Sequence, residues 1–137
     1  HPTLEKVLAD LGTRYPEMNE KIQVNWDSLG EIQLPELVLY TVLKNLLENA
    51  LLHAQAAHIW ISMQSDCLVI EDDGQQLIAQ DIQHLGQRFW RKSAQQHGHG
   101  LGLALVKSLL GNYQYHIGFQ QRQPAGLTIK IQRYIQN

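Results

Sequence analysis

The stretch HGHGLGLALVK, residues 97–107, places three glycines at alternate positions and then continues directly into an apolar helical pattern. Glycine is unfavourable inside helices and strands because it loses the most backbone entropy when it is ordered. The closely spaced Gly98, Gly100 and Gly102 therefore indicate a backbone that must bend or be approached closely. A glycine-rich segment that opens a helix is one way in which proteins bind phosphate, because unpaired N–H groups at a helix N-terminus favour an anion.

Size and charge limit the classes to which the protein can belong. A length of 137 residues is typical of one domain with a sizeable core. The net charge of −2 gives no strong attraction to nucleic acid or anionic lipid. The single cysteine, Cys67, supports no disulfide framework, fits a reducing compartment and is expected to be a buried core thiol. No apolar run approaches the roughly 20 residues of a membrane span. The chain opens without an initiator Met or a signal peptide, and we expect it to be a fragment of a longer protein.

Hydrophobic periodicity predicts about three main helices and five strands. The helices are predicted over residues 3–11, closed by Gly12, and over residues 35–54 and 101–112. The strands are predicted over residues 22–26, 57–63, 67–72, 115–120 and 126–132. A short helix over 78–86 and a basic loop over 87–99 lie between them. This order predicts a two-layer α/β sandwich, in which helices cover one face of a mixed sheet. A Rossmann fold is disfavoured because no strand leads into a G-x-G-x-x-G turn early in the chain.

The long predicted helix carries Asn45 and Asn49 four residues apart, on one face and roughly opposite a stripe of leucines. Spacing alone is compatible with two solvated asparagines on an outer face. The alternative is a face that lines a cleft, in which two amide oxygens help to hold a hard cation such as Mg²⁺.

The segment CLVIEDDG, residues 67–74, ends a strand with acidic residues. Asp72 shares a strand face with Leu68 and Ile70, and a carboxylate buried there is costly unless it has a hydrogen-bond partner. A simple Asp-Asp-Gly turn, in which carboxylates bond nearby backbone N–H groups, explains the same residues.

The basic segment before the glycines has two interpretations as well. Arg88, Arg91 and Lys92 either add positive charge to a phosphate site or belong to an ordinary solvated loop. We interpret His97 and His99 as exposed loop histidines, because no carboxylate or cysteine stands nearby at the spacing of a metal ligand.

Taken together and in this order, the motifs resemble the ATP-binding catalytic domain of bacterial sensor histidine kinases. This is the Bergerat fold, which is shared with DNA gyrase, heat-shock chaperone and mismatch-repair ATPases. The segment NLLENA (45–50) is similar to the N box, and EDDGQQL (71–77) to the first glycine box. QRFWR (87–91) is similar to the F box, and GHGLGLALVK (98–107) to the second glycine box. The resemblance covers residues 13–137, and residues 1–12 are assigned to a short leading helix at the junction with a dimerisation domain.

The resemblance implies a role for each motif. Asn49, with Asn45, would coordinate a Mg²⁺ ion on the phosphates of ATP. Asp72 would accept a hydrogen bond from the adenine amino group, and residues 75–99 would form a lid hinged by the glycines. The further nucleotide contacts that it implies are Gly74, Arg91, Gly98, Gly100, Leu101 and Gly102.

The resemblance also implies an activity and partners. The domain would transfer the γ-phosphoryl group of ATP to a histidine on its own dimerisation domain, with a response regulator downstream and no nucleic-acid partner. The fragment is expected to be soluble and monomeric. Its parent is expected to be a homodimeric sensor of the bacterial inner membrane, with this domain in the cytoplasm. His1 lacks the sequence context of a phosphoacceptor, which is expected on a separate helical hairpin.

Two positions depart from the family pattern. Gln76 stands where the first glycine box has its second glycine, and Leu52 stands where the N box has a basic residue. Both support an alternative, a degenerate nucleotide-binding or docking module. An anti-sigma-type serine kinase of the same fold is a further alternative. The Leu-Gly-Leu of residues 101–103 and the QRFWR segment favour the histidine kinase.

Overall fold

A computed structural model describes residues 1–75 and 99–134, and these residues form a mixed sheet of five strands. Its strands are β1 (Ile22–Val24), β2 (Ile59–Gln64), β3 (Cys67–Asp72), β4 (Tyr115–Gln121) and β5 (Leu127–Arg133). Its helices are α1 (Pro2–Arg14), α2 (Glu36–Glu48) and α3 (His99–Asn112), and a π-helical turn, Asn49–His53, follows α2. The strands lie in the order β1-β2-β3-β5-β4 across the sheet. Strands β1 and β2 are parallel, and the other neighbouring pairs are antiparallel.

The hydrophobic core lies between the three helices and one face of the sheet. Helix α2 packs against α1 and α3, and α3 packs against β4. Alternate residues of the central strands, among them Ile59, Ile61, Leu68 and Ile70, belong to this core. The helices contribute Leu4, Val7, Leu11, Leu39, Val42, Leu43, Leu46, Leu47, Leu103, Val106 and Leu110. The predicted two-layer α/β sandwich is confirmed.

The three main predicted helices are present, but their ends differ from the prediction. Helix α1 passes through Gly12 and ends at Arg14, so the prediction that Gly12 closes it is wrong. A Cβ at Gly12 would lie 2.9 Å from Oδ1 of Asn19, and the glycine therefore allows the following turn, Pro16–Glu20, to pack closely. The long helix over residues 35–54 changes from α to π geometry at Asn49. Helix α3 begins at His99, earlier than predicted.

The strands follow the predicted alternation with small differences. Strand β1 ends at Val24, and Trp26 instead begins a short 3-10 turn, Trp26–Ser28. Cys67 is half-buried and not a core thiol, because it starts β3 on the face opposite to Leu68. The predicted helix over 78–86 and nearly all of the loop over 87–99 lie outside the described residues.

Helix α1 shares the core of the rest of the chain through Leu4, Val7 and Leu11. Its assignment to the junction with another domain stays a prediction. Across residues 1–75 and 99–134, no helix combines the length and the apolar character that crossing a bilayer requires.

Candidate functional site

Asp72, the last residue of β3, has a buried carboxylate. Its exposure is only 4%, because the alternation along the strand turns its side chain toward the core. Its Oδ1 accepts a hydrogen bond from the N–H of Gly74 at 2.9 Å, and the backbone of Leu127 on β5 supplies another. Burial raises the pKa of Asp72 to about 6, against the effect of these hydrogen bonds. Both sequence interpretations of Asp72 therefore hold: it is buried, and it caps a turn.

Asp73 points away from Asp72 and bonds to the segment that begins β2. Its Oδ1 accepts the backbone N–H groups of Ala57 at 2.9 Å and His58 at 2.7 Å. Its Oδ2 lies 2.7 Å from Nδ1 of His58. Burial alone would raise the pKa of Asp73, but the hydrogen bonds from His58 and Ala57 outweigh burial and lower it. Two adjacent carboxylates thus have pKa values shifted in opposite directions.

Gly74 is packed against the end of the π turn. A Cβ at Gly74 would lie 2.6 Å from the carbonyl oxygen of Ala54, which is closer than side chains approach backbone atoms. The same carbonyl accepts a hydrogen bond from the N–H of Gln75 at 2.8 Å. The chain that follows Asn49 and the chain that follows Asp72 are therefore direct neighbours.

The β4–β5 turn closes another side of Asp72. Gly126 has φ +102°, and a Cβ there would overlap the carbonyl oxygen of Asp72. The backbone N–H of Arg122 donates to the carbonyl of Gly126 at 3.0 Å. On the outer face of the sheet, the Arg122 guanidinium lies 4.5 Å from the ring centroid of Trp60 and 3.5 Å from Oε2 of Glu71. These contacts hold the turn against the end of β3.

Asn45 and Asn49 are both half-buried at the C-terminal end of α2. The Asn45 Nδ2 donates a hydrogen bond to the carbonyl of Thr41, one turn earlier, at 2.7 Å. Asn49 begins the π turn, a rare geometry that is frequent at functional sites. In the described ranges, no group of three or more histidine, cysteine, aspartate or glutamate side chains is placed to hold a metal ion.

The segment that resembles the second glycine box opens α3. Gly100, Leu101 and Gly102 lie in its first turn, where the backbone N–H groups have no partner within the helix. The predicted contacts Arg91 and Gly98 lie outside the described residues, as do Gln76 and most of the predicted lid.

Glu48, in the last turn of α2, contacts the residue that follows α1. The hydroxyl of Tyr15 donates a hydrogen bond to Oε2 of Glu48 at 3.2 Å. The carboxylate nearest to Asn49 in sequence is therefore engaged by another side chain.

Sequence reasoning did not identify Asp73, His58 or Gly126 as parts of this site. Strand alternation predicts that Asp73 faces away from Asp72, but no local pattern identifies His58 as its partner. The sequence predicts a strand that begins at Gly126, but the approach of this residue to Asp72 depends on the pairing of β3 with β5.

Comparison with known proteins decides the family. The family described as "Histidine kinase-, DNA gyrase B-, and HSP90-like ATPase" matches residues 35–134. The chain belongs to this family. The matched residues extend from the start of α2 into the segment after β5, so this histidine kinase-like ATPase region contains all the motifs described above.

Sensor kinases are similar to this domain in sequence and in fold. The sensor protein QseC of Escherichia coli (strain K12) is 24% identical over 117 residues, which cover 84% of this chain and 26% of QseC. The mycobacterial sensor histidine kinase MprB superposes with a TM-score of 0.77 at 23% identity, covering 98% of this chain and 96% of that one. The ATP binding domain of PrrB from Mycobacterium tuberculosis has a TM-score of 0.69 at 18% identity, covering 99% and 93%. The family match confirms the predicted family of histidine kinase-like ATPases, and the structural likenesses confirm its fold. The chain spans about a quarter of the length of QseC.

Proposed function

We propose that this domain binds ATP with Mg²⁺ and transfers the γ-phosphoryl group to a histidine on a separate dimerisation domain. The observation that carries the proposal is the buried carboxylate of Asp72 at the end of β3. An ionised carboxylate has about four acceptor sites, so two backbone hydrogen bonds leave capacity for a ligand. An adenine amino group suits this capacity, whereas guanine presents O6, a second acceptor, at the same position.

Asn45 and Asn49 would hold the Mg²⁺ ion. Mg²⁺ prefers oxygen ligands and keeps several of its waters, so two amide oxygens are chemically suitable partners. The hydrogen bond from Asn45 Nδ2 to the Thr41 carbonyl uses the amide nitrogen and leaves Oδ1 as the ligand atom. The bound ion would neutralise charge on the phosphates.

The first turn of α3 would contact the phosphates through its backbone. The N–H groups of Gly100, Leu101 and Gly102 carry partial positive charge, and the glycines permit close approach of an anion. Gly98 and Arg91 complete the proposed phosphate contacts, and Gly74 lies beside the proposed adenine contact. Leu52, where the family has a basic residue, is 45% exposed and supplies no charge, so we expect modest nucleotide affinity.

The domain is expected to hold ATP without hydrolysing it. Gyrase-like relatives activate water with a glutamate one helical turn before the metal-binding asparagine. Here Asn45 occupies that position, and an amide does not take a proton near neutral pH. The nearby carboxylate of Glu48 accepts a hydrogen bond from the Tyr15 hydroxyl. An incoming histidine is appreciably neutral at pH 7 and needs no base, so its ring nitrogen would bond to the γ-phosphorus as ADP leaves.

The proposed partners follow from the same activity. The phosphoacceptor histidine would lie on a dimerisation domain joined near residues 1–12, and a response regulator would take the phosphoryl group onward. We propose a homodimeric parent that is anchored in the inner membrane, with this domain on its cytoplasmic side.

A phosphorylation assay with γ-labelled ATP tests the proposal. The chain joined to a phosphoacceptor hairpin should acquire acid-labile label on histidine, and the chain alone should acquire none. Asn49→Ala should abolish the labelling. Acid-stable label on a serine would favour the serine kinase, and ATP binding without transfer to any hairpin would favour the degenerate module.

A further inference from the structure

The carboxylate of Asp73 joins the strand ends beside the proposed adenine contact. Three donors converge on it: the N–H of Ala57 at 2.9 Å, the N–H of His58 at 2.7 Å and Nδ1 of His58 at 2.7 Å. The N–H of Asp73 donates to the carbonyl of His58 at a longer 3.2 Å. The side chain therefore supplies most of the hydrogen bonding between residues 57–58 and the end of β3.

We propose that Asp73 is a positioning residue for nucleotide binding, which fixes residues 72–74 against residues 57–58 so that the Asp72 carboxylate faces adenine. The inference rests on the proposed function. Asp73 itself does not touch the nucleotide, since alternation points it to the opposite face of the sheet from Asp72.

The surroundings of Asp73 indicate a local role in positioning rather than a role in packing the core. Ala57 and His58 are exposed, so water can replace the carboxylate as the partner of their N–H groups. The core side chains of β2 and β3 belong to the hydrophobic cluster between the helices and the sheet, and Asp73 is not part of that cluster. On the other side, Asp72 is confined by the Gly74 N–H and by the turn at Gly126, so a small movement of residues 72–74 alters the direction of its carboxylate.

Calorimetric titration of the domain with ATP and Mg²⁺ tests this role. Asp73→Ala is expected to weaken ATP binding about tenfold, since charge-assisted hydrogen bonds that fix the segment are lost. Asp73→Asn keeps an oxygen that accepts the backbone N–H groups and should stay within about threefold of the wild type. The matched control is Asp66→Ala, which removes an exposed carboxylate at the other end of the same hairpin and should leave the affinity for ATP unchanged.

A double-mutant cycle separates positioning from general damage to the fold. If Asp73 acts through Asp72, then Asp73→Ala has no further effect on ATP affinity in an Asp72→Ala background. Additive losses would contradict the inference, and so would equal losses in Asp73→Asn and Asp73→Ala. Wild-type affinity in Asp73→Ala would overturn it as well. Failure of the wild-type domain to bind ATP would instead refute the proposed function.

Discussion

Asp72 and Asp73 are consecutive residues whose carboxylates serve opposite faces of the sheet. Asp72 is buried against the core side, and Asp73 bonds to the backbone and the ring of His58. Burial raises the pKa of Asp72 to about 6, whereas for Asp73 burial is outweighed by the hydrogen bonds from His58 and Ala57, which lower the pKa. Asp72 thus accepts two backbone hydrogen bonds, from Gly74 and Leu127, whereas three donors of residues 57–58 surround the carboxylate of Asp73.

The raised pKa of Asp72 predicts a pH dependence of folding without nucleotide. The folded state binds the proton of the Asp72 carboxyl more tightly than the unfolded state, in which the pKa of Asp72 is 3.8. The contribution of Asp72 to stability is therefore complete below pH 3.8 and is lost as the pH rises through about 6. Between pH 4 and pH 7 the loss is about 2 kcal/mol in the free energy of unfolding.

Urea unfolding of the wild type and of Asp72→Asn at several pH values between 4 and 7 measures this contribution. As the pH rises from 4 to 7, the wild type should lose about 2 kcal/mol of unfolding free energy relative to Asp72→Asn. The change of this difference with pH is the readout, because the substitution also alters the hydrogen bonds from Gly74 and Leu127, which shifts the difference at every pH. A difference that stays constant with pH would show that Asp72 is not held in a desolvated site.

Gly126 is required by its backbone conformation and by its contact with Asp72. Alanine there would be strained at φ +102° and its Cβ would overlap the Asp72 carbonyl oxygen. We expect Gly126→Ala to lower the free energy of unfolding by at least about 2 kcal/mol and to weaken ATP binding. Gly118→Ala in β4 is the matched control, because a Cβ at Gly118 meets no atom within 4 Å. Equal thermal stability of the two variants would refute the contact.

Glu48 is predicted to take no part in ATP hydrolysis. Phosphate release by the domain alone should be close to background, and Glu48→Gln should leave it there, because the carboxylate is bonded to Tyr15 at 3.2 Å. Glu36→Gln, an exposed carboxylate in the first turn of the same helix, is the control. Robust hydrolysis that disappears in Glu48→Gln but survives in Glu36→Gln would make Glu48 the general base.

The parts of this site that depend on short-range periodicity are predictable from the sequence. The leucine stripe of α2 and the alternation of β3 have single regular periods, and the alternation places Asp72 with Leu68 and Ile70 without reference to the rest of the fold. The range of β3 is as predicted, and Asp72 is buried on the strand face that the alternation assigns to it.

Other features depend on contacts between distant segments, and sequence patterns do not reveal them. The π turn that begins at Asn49 places the Ala54 carbonyl within hydrogen-bond distance of the Gln75 N–H. Hydrophobic periodicity predicts that the same residues continue the α-helix. Glycine often marks a helix end, but Gly12 lies within α1, where the absence of a side chain leaves room for the side chain of Asn19. The partnership of Asp73 with His58 requires β2 and β3 to be paired before the two residues meet.

Calorimetric titration with ATP and with GTP, each with Mg²⁺, tests the central claim that Asp72 selects adenine for this domain. The wild type should bind ATP and discriminate against GTP, by up to about 10⁴-fold, because the Asp72 carboxylate would face the O6 acceptor of guanine. Asp72→Ala should weaken ATP binding by roughly 1.5–3 kcal/mol and remove most of the preference. Comparable affinities of the wild type for ATP and GTP, or undiminished ATP binding by Asp72→Ala, would contradict the account.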